Sequence, residues 1–162
     1  MEGKRFIHKI KLQNFLSYGS EGEEIELQPL NVLIGRNSAG KSNLIEAISI
    51  LKATPTNLPA PFRQGGGINE FLWKGERSNS IANIDVILNY QERYRNHLHY
   101  KLSITEVGQR LELATECLDT EPSEVIQIRI AFKHSSKIFF VINDFKVPLT
   151  ISQSFSQIII FD

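Results

Sequence analysis

Residues 30–42 read Leu-Asn-Val-Leu-Ile-Gly-Arg-Asn-Ser-Ala-Gly-Lys-Ser, and the last eight of them form the pattern G-x-x-x-x-G-K-S. This pattern is typical of a loop that binds a polyphosphate. Gly35 and Gly40 lack a Cβ, so the backbone can turn tightly and bring its N–H groups close to phosphate oxygens. Lys41 provides a flexible positive charge for the terminal phosphates, and the Ser42 hydroxyl is the kind of oxygen ligand that Mg²⁺ prefers. The motif therefore predicts a site for ATP or a similar nucleotide with magnesium.

The residues on either side of the loop have the patterns that this motif requires. Leu30–Ile34 is an apolar run that predicts a buried strand, and residues 41–52 are mostly helix formers. The apolar residues of that predicted helix fall on one face: Leu44, Ile45, Ile48 and Leu51. A helix that begins at the loop also directs the positive end of its dipole toward a bound phosphate. We therefore expect a strand, the loop and a helix in that order.

The overall composition is that of one globular domain. The chain has 162 residues, of which 41% are hydrophobic and 22% are charged, and this length is enough to bury most of the apolar surface. Eighteen basic residues balance eighteen acidic ones, so the net charge gives no support for a DNA-binding surface. The single cysteine, the absence of a leader pattern and the absence of a membrane-length apolar run predict a cytoplasmic protein without membrane contact.

Composition and periodicity divide the chain into four segments. Residues 1–53 contain predicted strands at 5–13 and 24–27, a turn over 14–22, the phosphate loop and its helix. Residues 54–80 are predicted to be a loop, because 54–67 hold three prolines and three consecutive glycines; only 68–73 suggest a helical turn. Residues 81–150 and 151–162 complete the chain.

Alternation of apolar and polar residues dominates residues 81–150. Five runs have this period of two: Ile84–Tyr90, Leu98–Ile104, Leu111–Cys117, Ile126–Phe132 and Ile138–Ile142. Short polar segments separate the runs, which predicts an antiparallel meander with one covered face. Helical periodicity does not return after residue 73, so a fold of alternating parallel strands and helices is excluded. The predicted class is α/β (α+β), a P-loop NTPase lobe with an antiparallel β-subdomain.

The sequence resembles the amino-terminal half of an ATPase head of the SMC/RecF type, within the ABC-like ATPases. Four stretches carry the resemblance: Lys11–Phe15, Leu30–Ile34, Gly35–Ile48 and Gly66–Gly75. The resemblance implies ATP and Mg²⁺ as cofactors and a head-to-head homodimer in which each head completes the site of the other. It also implies that the loop residues contact the nucleotide: Gly35, Arg36, Asn37, Ser38, Ala39, Gly40, Lys41, Ser42 and Asn43. The resemblance also allows DNA as a partner. The net charge of this chain, which is zero, does not support DNA binding.

Two motifs of complete heads are absent from the sequence. It contains no Leu-Ser-Gly-Gly signature and no apolar run that ends in Asp-Glu. We therefore expect the amino-terminal portion of a longer head, which binds ATP but needs the remainder of the head for hydrolysis. No catalytic residue is assigned to this chain. The alternative is a regulatory or interaction module that uses the nucleotide as a structural clamp without hydrolysing it.

The last segment, residues 151–162, allows two interpretations. In ABC-like heads a glutamine after the antiparallel subdomain contacts magnesium and senses the γ-phosphate, and Gln157 has that position in the chain. The run Ile158–Phe161 followed by Asp162 instead has the form of a Walker B strand, whose aspartate holds magnesium. The two assignments compete for one short segment.

Several other polar and aromatic residues have structural interpretations. His97 and His99 are two residues apart and share one face of a predicted strand, but no further metal ligands have suitable spacing. Cys117 is predicted to be an inert core thiol. Trp73 is predicted to be a packing anchor rather than a platform for a base. The basic pairs at Lys4-Arg5 and at Arg93 and Arg95 are predicted to lie on solvated faces.

Overall fold

The computed structural model describes residues 6–75, 81–88, 97–120, 129–130, 138–142, 145–149 and 158–160. The strands are β1 (Ile7–Gln13), β2 (Glu23–Glu26), β3 (Asn31–Leu33), β4 (Ala82–Leu88), β5 (Leu98–Val107), β6 (Arg110–Thr120), β7 (Arg129–Ile130), β8 (Ile138–Ile142), β9 (Phe145–Leu149) and β10 (Ile158–Ile160). The helices are α1 (Lys41–Asn57) and α2 (Pro59–Gln64), followed by a short 3-10 turn at Ile68–Glu70.

The largest sheet has five strands in the order β2-β1-β4-β5-β6, and each neighbouring pair is antiparallel. One face of β4 and β5 is apolar and buried because their residues alternate with period two. Strands β5 and β6 join through Gly108 and Gln109, whose φ angles of 58° and 65° give a tight hairpin turn that matches the twist of the strands.

The strands predicted at Ile84–Tyr90, Leu98–Ile104 and Leu111–Cys117 are confirmed by β4, β5 and β6, although Tyr90 lies outside the described residues. The prediction of one antiparallel meander over residues 81–150 is wrong in two respects. Strand β4 pairs with β1 from the start of the chain, so the sheet is not confined to residues 81–150. Strands β7, β8 and β9 form a separate three-stranded sheet, and β9 occupies a stretch where no strand was expected. Periodicity marks a strand but does not choose its partner.

Helix α1 confirms the predicted helix and buries one face in the same hydrophobic cluster as the sheet. Its buried residues are Leu44, Ala47, Ile48, Ile50, Leu51 and Thr54. Tyr100 of β5 is also buried in this cluster, and its hydroxyl donates to a carboxylate oxygen of Glu116 at 2.7 Å. Burial raises the Tyr100 pKa, so the phenol stays protonated and can remain a donor. The helix that leaves the phosphate loop is thus fixed on the large sheet.

The loop predicted over residues 54–67 is wrong up to residue 64. Helix α1 continues through Pro55 to Asn57, and α2 follows it directly. Pro59 and Pro61 lie in the first turn of α2, where a backbone N–H has no partner within the helix and its loss costs little. The helical stretch ends at Gly65–Gly67, where Gly66 and Gly67 have positive φ angles of 93° and 104°. The helical turn expected over 68–73 is confirmed by the 3-10 turn.

Strand β3 leads into the phosphate loop and pairs in parallel with β10, with Ile158 opposite Asn31 and Ile160 opposite Leu33. The expectation of a buried strand at Leu30–Ile34 is wrong, because Leu30, Val32 and Ile34 are 57%, 49% and 81% exposed. Among the described residues, β10 is the one strand paired with β3.

The half-buried carboxylate of Asp85 lies on the polar face of the large sheet, between Lys11 of β1 and Lys101 of β5. Burial raises the Asp85 pKa, against the opposing effect of Lys101, Lys11 and His99. Its Oδ1 is enclosed and has no hydrogen-bond partner among the described residues. Because the folded pKa lies above the unfolded value of 3.8, ionised Asp85 destabilises the fold at neutral pH, and the penalty disappears as the pH falls through the folded pKa.

We expect Asp85→Asn to raise the melting temperature at pH 7 and the difference from wild type to shrink as the pH approaches 4 (roughly the ordinary carboxyl pKa). Thermal unfolding of both proteins at several pH values between these limits measures the effect. A difference that stays constant over that range, or a variant that melts lower at pH 7, would contradict the role of desolvation at Asp85.

Candidate nucleotide-binding site

The phosphate loop lies between the end of β3 at Leu33 and the start of α1 at Lys41. Its backbone is left-handed at Ser38 and Gly40, with φ angles of 70° and 84°. The N–H of Ala39 donates to the carbonyl of Arg36 at 3.1 Å, which closes a tight turn inside the loop. Left-handed residues within such a turn direct N–H groups toward one concave side, which is the geometry of an anion-binding nest. The loop therefore has the backbone form that a polyphosphate requires.

Lys41 extends its ammonium group back over the start of the loop. Its Nζ donates to the carbonyls of Gly35 at 2.5 Å and Arg36 at 3.3 Å. The charge is therefore held beside the backbone that a phosphate would contact, on a side chain flexible enough to change partner. Ser42 follows in the first helical turn and is exposed, so its hydroxyl is accessible to a hydrated cation. The other predicted contact residues in the loop, Arg36–Ala39, are exposed as well.

The turn between β1 and β2 contacts the phosphate loop through two side chains. The amide Nδ2 of Asn43 donates to Oγ of Ser17 at 2.7 Å, and the hydroxyl of Tyr18 donates to the carbonyl of Gly40 at 3.4 Å. A Cβ on Gly40 would lie 3.4 Å from Oγ of Ser17. Burial raises the Tyr18 pKa, with a further contribution from Glu23, so the hydroxyl keeps its proton as a donor. Sequence reasoning assigned this stretch only as a turn and missed both contacts.

A cleft of about 610 Å³ lies between this turn and the phosphate loop. Its lining comes from the turn at 17–23, from the loop at 38–40 and from Trp73. A smaller cavity of about 320 Å³ is lined by Trp73 together with Ser17, Asn43 and Lys74. The volume of the larger cleft is in the range of small-ligand sites, about 300–1,000 Å³. It opens directly on the loop that would hold the phosphates.

Trp73 is fixed by backbone contacts between its segment and the β1–β2 turn. The N–H of Trp73 donates to the carbonyl of Asn14 at 3.0 Å, and the N–H of Leu16 donates to the carbonyl of Phe71 at 2.7 Å. Phe71 and Leu72 are buried, whereas Trp73 is half-buried. The hydrophobic anchor is therefore formed by Phe71 and Leu72, and the indole borders the cleft.

Among the residues that the structure describes, the other sequence-predicted sites form no second centre. Gln157, Asp162, Lys4, Arg5, Arg93 and Arg95 all lie outside the described residues. His97 is exposed and meets the ring of His8 edge-on at 4.7 Å. No group of three metal-ligating side chains exists within the part of the chain that the structure describes. Cys117 is half-buried, and burial raises its pKa, which disfavours the reactive thiolate.

Residues 6–159 match the protein family described as AAA ATPase domain. The chain belongs to this family. The predicted resemblance to an ATPase head of the SMC/RecF type is confirmed as a relationship to SMC- and Rad50-type ATPase heads, and the family is one of ATPases. The predicted α/β (α+β) class is confirmed by the helices and sheets described above. The match includes the loop, α1, the large sheet and the first two residues of β10.

Among known proteins, the chain is similar to a DNA double-strand break repair Rad50 ATPase from Sulfolobus acidocaldarius. The two are 37% identical over 76 residues, which is 47% of this chain and 8% of that protein. The chain thus spans a small part of the relative it matches.

Two solved structures are also similar to this ATPase domain. One comes from work on ATP-driven dimerization and DNA-stimulated activation of SMC ATPases, with 19% identity and a TM-score of 0.46 over 66% of this chain and 72% of that chain. The other is an SMC head bound to the C-terminal winged-helix domain of ScpA, with 19% identity and a TM-score of 0.45 over 66% of this chain and 36% of that chain.

None of the described helices combines the length and the apolar character that crossing a bilayer requires.

Gly40 and Gly108 are both left-handed, but only Gly40 lies in the phosphate loop. Gly40→Ala places a Cβ at φ 84°, close to Ser17, whereas Gly108→Ala places one at φ 58° in open space in the β5–β6 turn. Each variant is expected to lose about 1–2 kcal/mol of stability from left-handed strain. We expect a loss of ATP affinity only in Gly40→Ala, because only that change distorts the phosphate loop.

Thermal unfolding and calorimetric ATP titration of the two variants measure these effects. If Gly40→Ala bound ATP as tightly as Gly108→Ala, the loop geometry would not be the determinant of nucleotide binding.

Proposed function

We propose that this domain binds MgATP on the loop Gly35–Asn43, as the nucleotide-binding part of an SMC/Rad50-type ATPase head. The observation that carries the proposal is the left-handed loop at the amino end of α1, with the Lys41 ammonium already held over it. Backbone N–H groups of residues 38–42 would hold phosphate oxygens, Lys41 would neutralise the β- and γ-phosphates, and Ser42 would ligate Mg²⁺. Phosphoryl transfer depends mainly on such positioning and charge.

The parallel pairing of β10 with β3 favours Asp162 over Gln157 as a residue of the magnesium site. Strand β3 delivers the loop at its carboxyl end, and the carboxyl end of β10 lies at the same edge because the strands are parallel. Ligands of parallel sheets bind at this edge. In the sequence, Asp162 follows the last residue of β10 by two positions, whereas Gln157 comes immediately before its first residue. We therefore infer that Asp162 is a second-sphere or direct partner of the metal.

The exposed apolar residues in and next to β3 support completion of the site by further polypeptide. Leu30, Val32 and Ile34 form an exposed apolar row at the strand that feeds the loop. We propose that the remainder of an ATPase head covers this row and supplies the signature motif and the carboxylate that activates water. Hydrolysis and head-to-head dimerisation would then belong to the completed head, and multiple turnover by this chain alone would contradict that division.

Lys41→Ala tests nucleotide binding directly. Loss of the ammonium group is expected to weaken ATP binding roughly 10- to 100-fold, the value of a charge-assisted hydrogen bond of about 1.5–3 kcal/mol. Lys52→Ala is the matched control, because Lys52 is an exposed lysine of the same helix away from the loop. Calorimetric titration with MgATP compares the three proteins, and equal affinity of Lys41→Ala and wild type would refute the proposed site.

Asp162→Asn and Gln157→Asn test the metal assignment. We expect Asp162→Asn to reduce the gain in ATP affinity that magnesium provides, because an amide ligates the cation less strongly than a carboxylate. Gln157→Asn should leave this gain unchanged. Titrations with ATP in magnesium and in EDTA give the gain for each protein. The opposite result, with only the Gln157 variant affected, would restore the sensor-loop interpretation of this segment.

A further inference from the structure

The single tryptophan of this chain borders the same cleft as the phosphate loop. Trp73 and the loop residues Ser38–Gly40 line one continuous space of about 610 Å³, together with the turn at 17–23. Trp73 belongs to a segment about thirty residues further along the chain than the loop, and it reaches the cleft because its backbone is hydrogen-bonded to the β1–β2 turn. The aromatic ring and the anion-binding backbone thus share one site, which the sequence did not indicate.

Two glycines, Gly19 and Gly75, lie against the indole ring of Trp73. A Cβ at Gly19 would lie 3.3 Å from Cζ2 of the indole, and a Cβ at Gly75 would overlap the same ring. Trp73 therefore keeps its place only if position 75 has no side chain, whereas a Cβ at position 19 would be a tight contact with the ring. Phe71 and Leu72 are the buried residues of this segment, and the half-buried indole of Trp73 borders the cleft.

The two ends of the cleft differ in charge, and this difference favours one orientation of a bound nucleotide. The loop end carries the amino terminus of α1, which favours phosphates. Glu21 and Glu23 line the cleft as exposed carboxylates in the turn, and they disfavour phosphates at that end. Carboxylates can instead accept hydrogen bonds from the ring amino groups of a base. The base of a nucleotide anchored at the loop would therefore extend toward the turn and the indole.

We propose that the indole of Trp73 packs against the nucleobase of the bound nucleotide and forms the base-binding wall of this site. The inference rests on the proposed MgATP site and extends it from the phosphates to the nucleoside. An aromatic ring contributes to base binding through its π-face and buried area, independently of the phosphate contacts. Trp73 then acts on affinity for the nucleoside and leaves affinity for the triphosphate unchanged.

Tripolyphosphate separates the two parts of the site, because it carries the phosphates of ATP without the base. Wild-type protein should bind MgATP and magnesium tripolyphosphate, both followed by calorimetry. Because Trp73 is the only tryptophan, its emission reports on this site alone. We expect ATP to change the emission at saturation and tripolyphosphate to bind without that change.

Three variants complete the experiment. Trp73→Ala should weaken ATP binding about tenfold, within the range measured for stacked bases, and leave tripolyphosphate affinity unchanged. Trp73→Phe should retain most of the ATP affinity. Gly75→Ala, which displaces the indole without removing it, should reproduce the Trp73→Ala effect. Unchanged tripolyphosphate affinity in each variant shows that the loop is intact.

The outcomes separate this inference from the proposed function. If ATP and tripolyphosphate both bind and Trp73→Ala weakens neither, Trp73 does not contact the base and the inference is overturned while the phosphate site stands. If Trp73→Ala weakens both ligands equally, Trp73 only supports the loop, and the inference again fails. If neither ligand binds wild type, the proposed MgATP site fails and the inference fails with it.

Discussion

The candidate site depends on the contact between the β1–β2 turn and the phosphate loop. A P-loop needs left-handed residues whose conformation costs free energy, so the surrounding structure must hold them in place. Here Ser17 and Tyr18 provide that support by hydrogen bonds to Asn43 and to the carbonyl of Gly40. The same turn exchanges backbone hydrogen bonds with the segment of Phe71 and Trp73: Asn14 accepts from Trp73 and Leu16 donates to Phe71. The phosphate loop and the segment of Trp73 therefore both contact the β1–β2 turn, and the cleft lies between the three segments.

The second constraint is the position of α1 between two kinds of sheet. Its amino end belongs to the loop after β3, which pairs in parallel with β10, while its apolar face packs in the core of the antiparallel sheet. Parallel pairing brings the carboxyl ends of strands to one edge, where phosphate and metal ligands collect. The antiparallel sheet provides the buried area that holds the helix rigidly, with Tyr100 and Thr54 buried at the contact. The parallel pair of strands thus positions the phosphate loop, the antiparallel sheet stabilises α1, and α1 connects the two.

Much of this arrangement follows from local sequence pattern. The loop is set by residue types at fixed spacing, α1 by the spacing of its apolar residues, and β4 to β6 by alternation. Pro59 and Pro61 do not predict a loop reliably, because a proline in the first turn of a helix removes an N–H that would have no helical partner. Pro55 lies inside α1, which continues past it to Asn57. Leu30–Ile34 resembled a buried strand because an apolar run does not reveal what covers it.

The contacts that complete the site could not be found in the same way. Asn43 meets Ser17 across 26 residues of sequence and Tyr18 meets Gly40 across 22. Trp73 follows two buried apolar residues, so its pattern suggests a core position even though its indole borders the cleft. Pairing of β4 with β1 is likewise a long-range choice that periodicity leaves open. Local pattern therefore identifies the phosphate loop, and only the folded chain shows the wall opposite it.

A crystal structure of the protein with magnesium and a non-hydrolysable ATP analogue would test the proposed site most directly. We expect phosphate oxygens on the N–H groups of residues 38–42, the Lys41 ammonium turned from the loop carbonyls to the phosphates, and the cation on Ser42. We also expect the Ser17 and Tyr18 contacts intact and the base in the cleft lined by Trp73. A nucleotide bound elsewhere, or a loop that rearranges so that the β1–β2 turn no longer contacts it, would contradict this proposal.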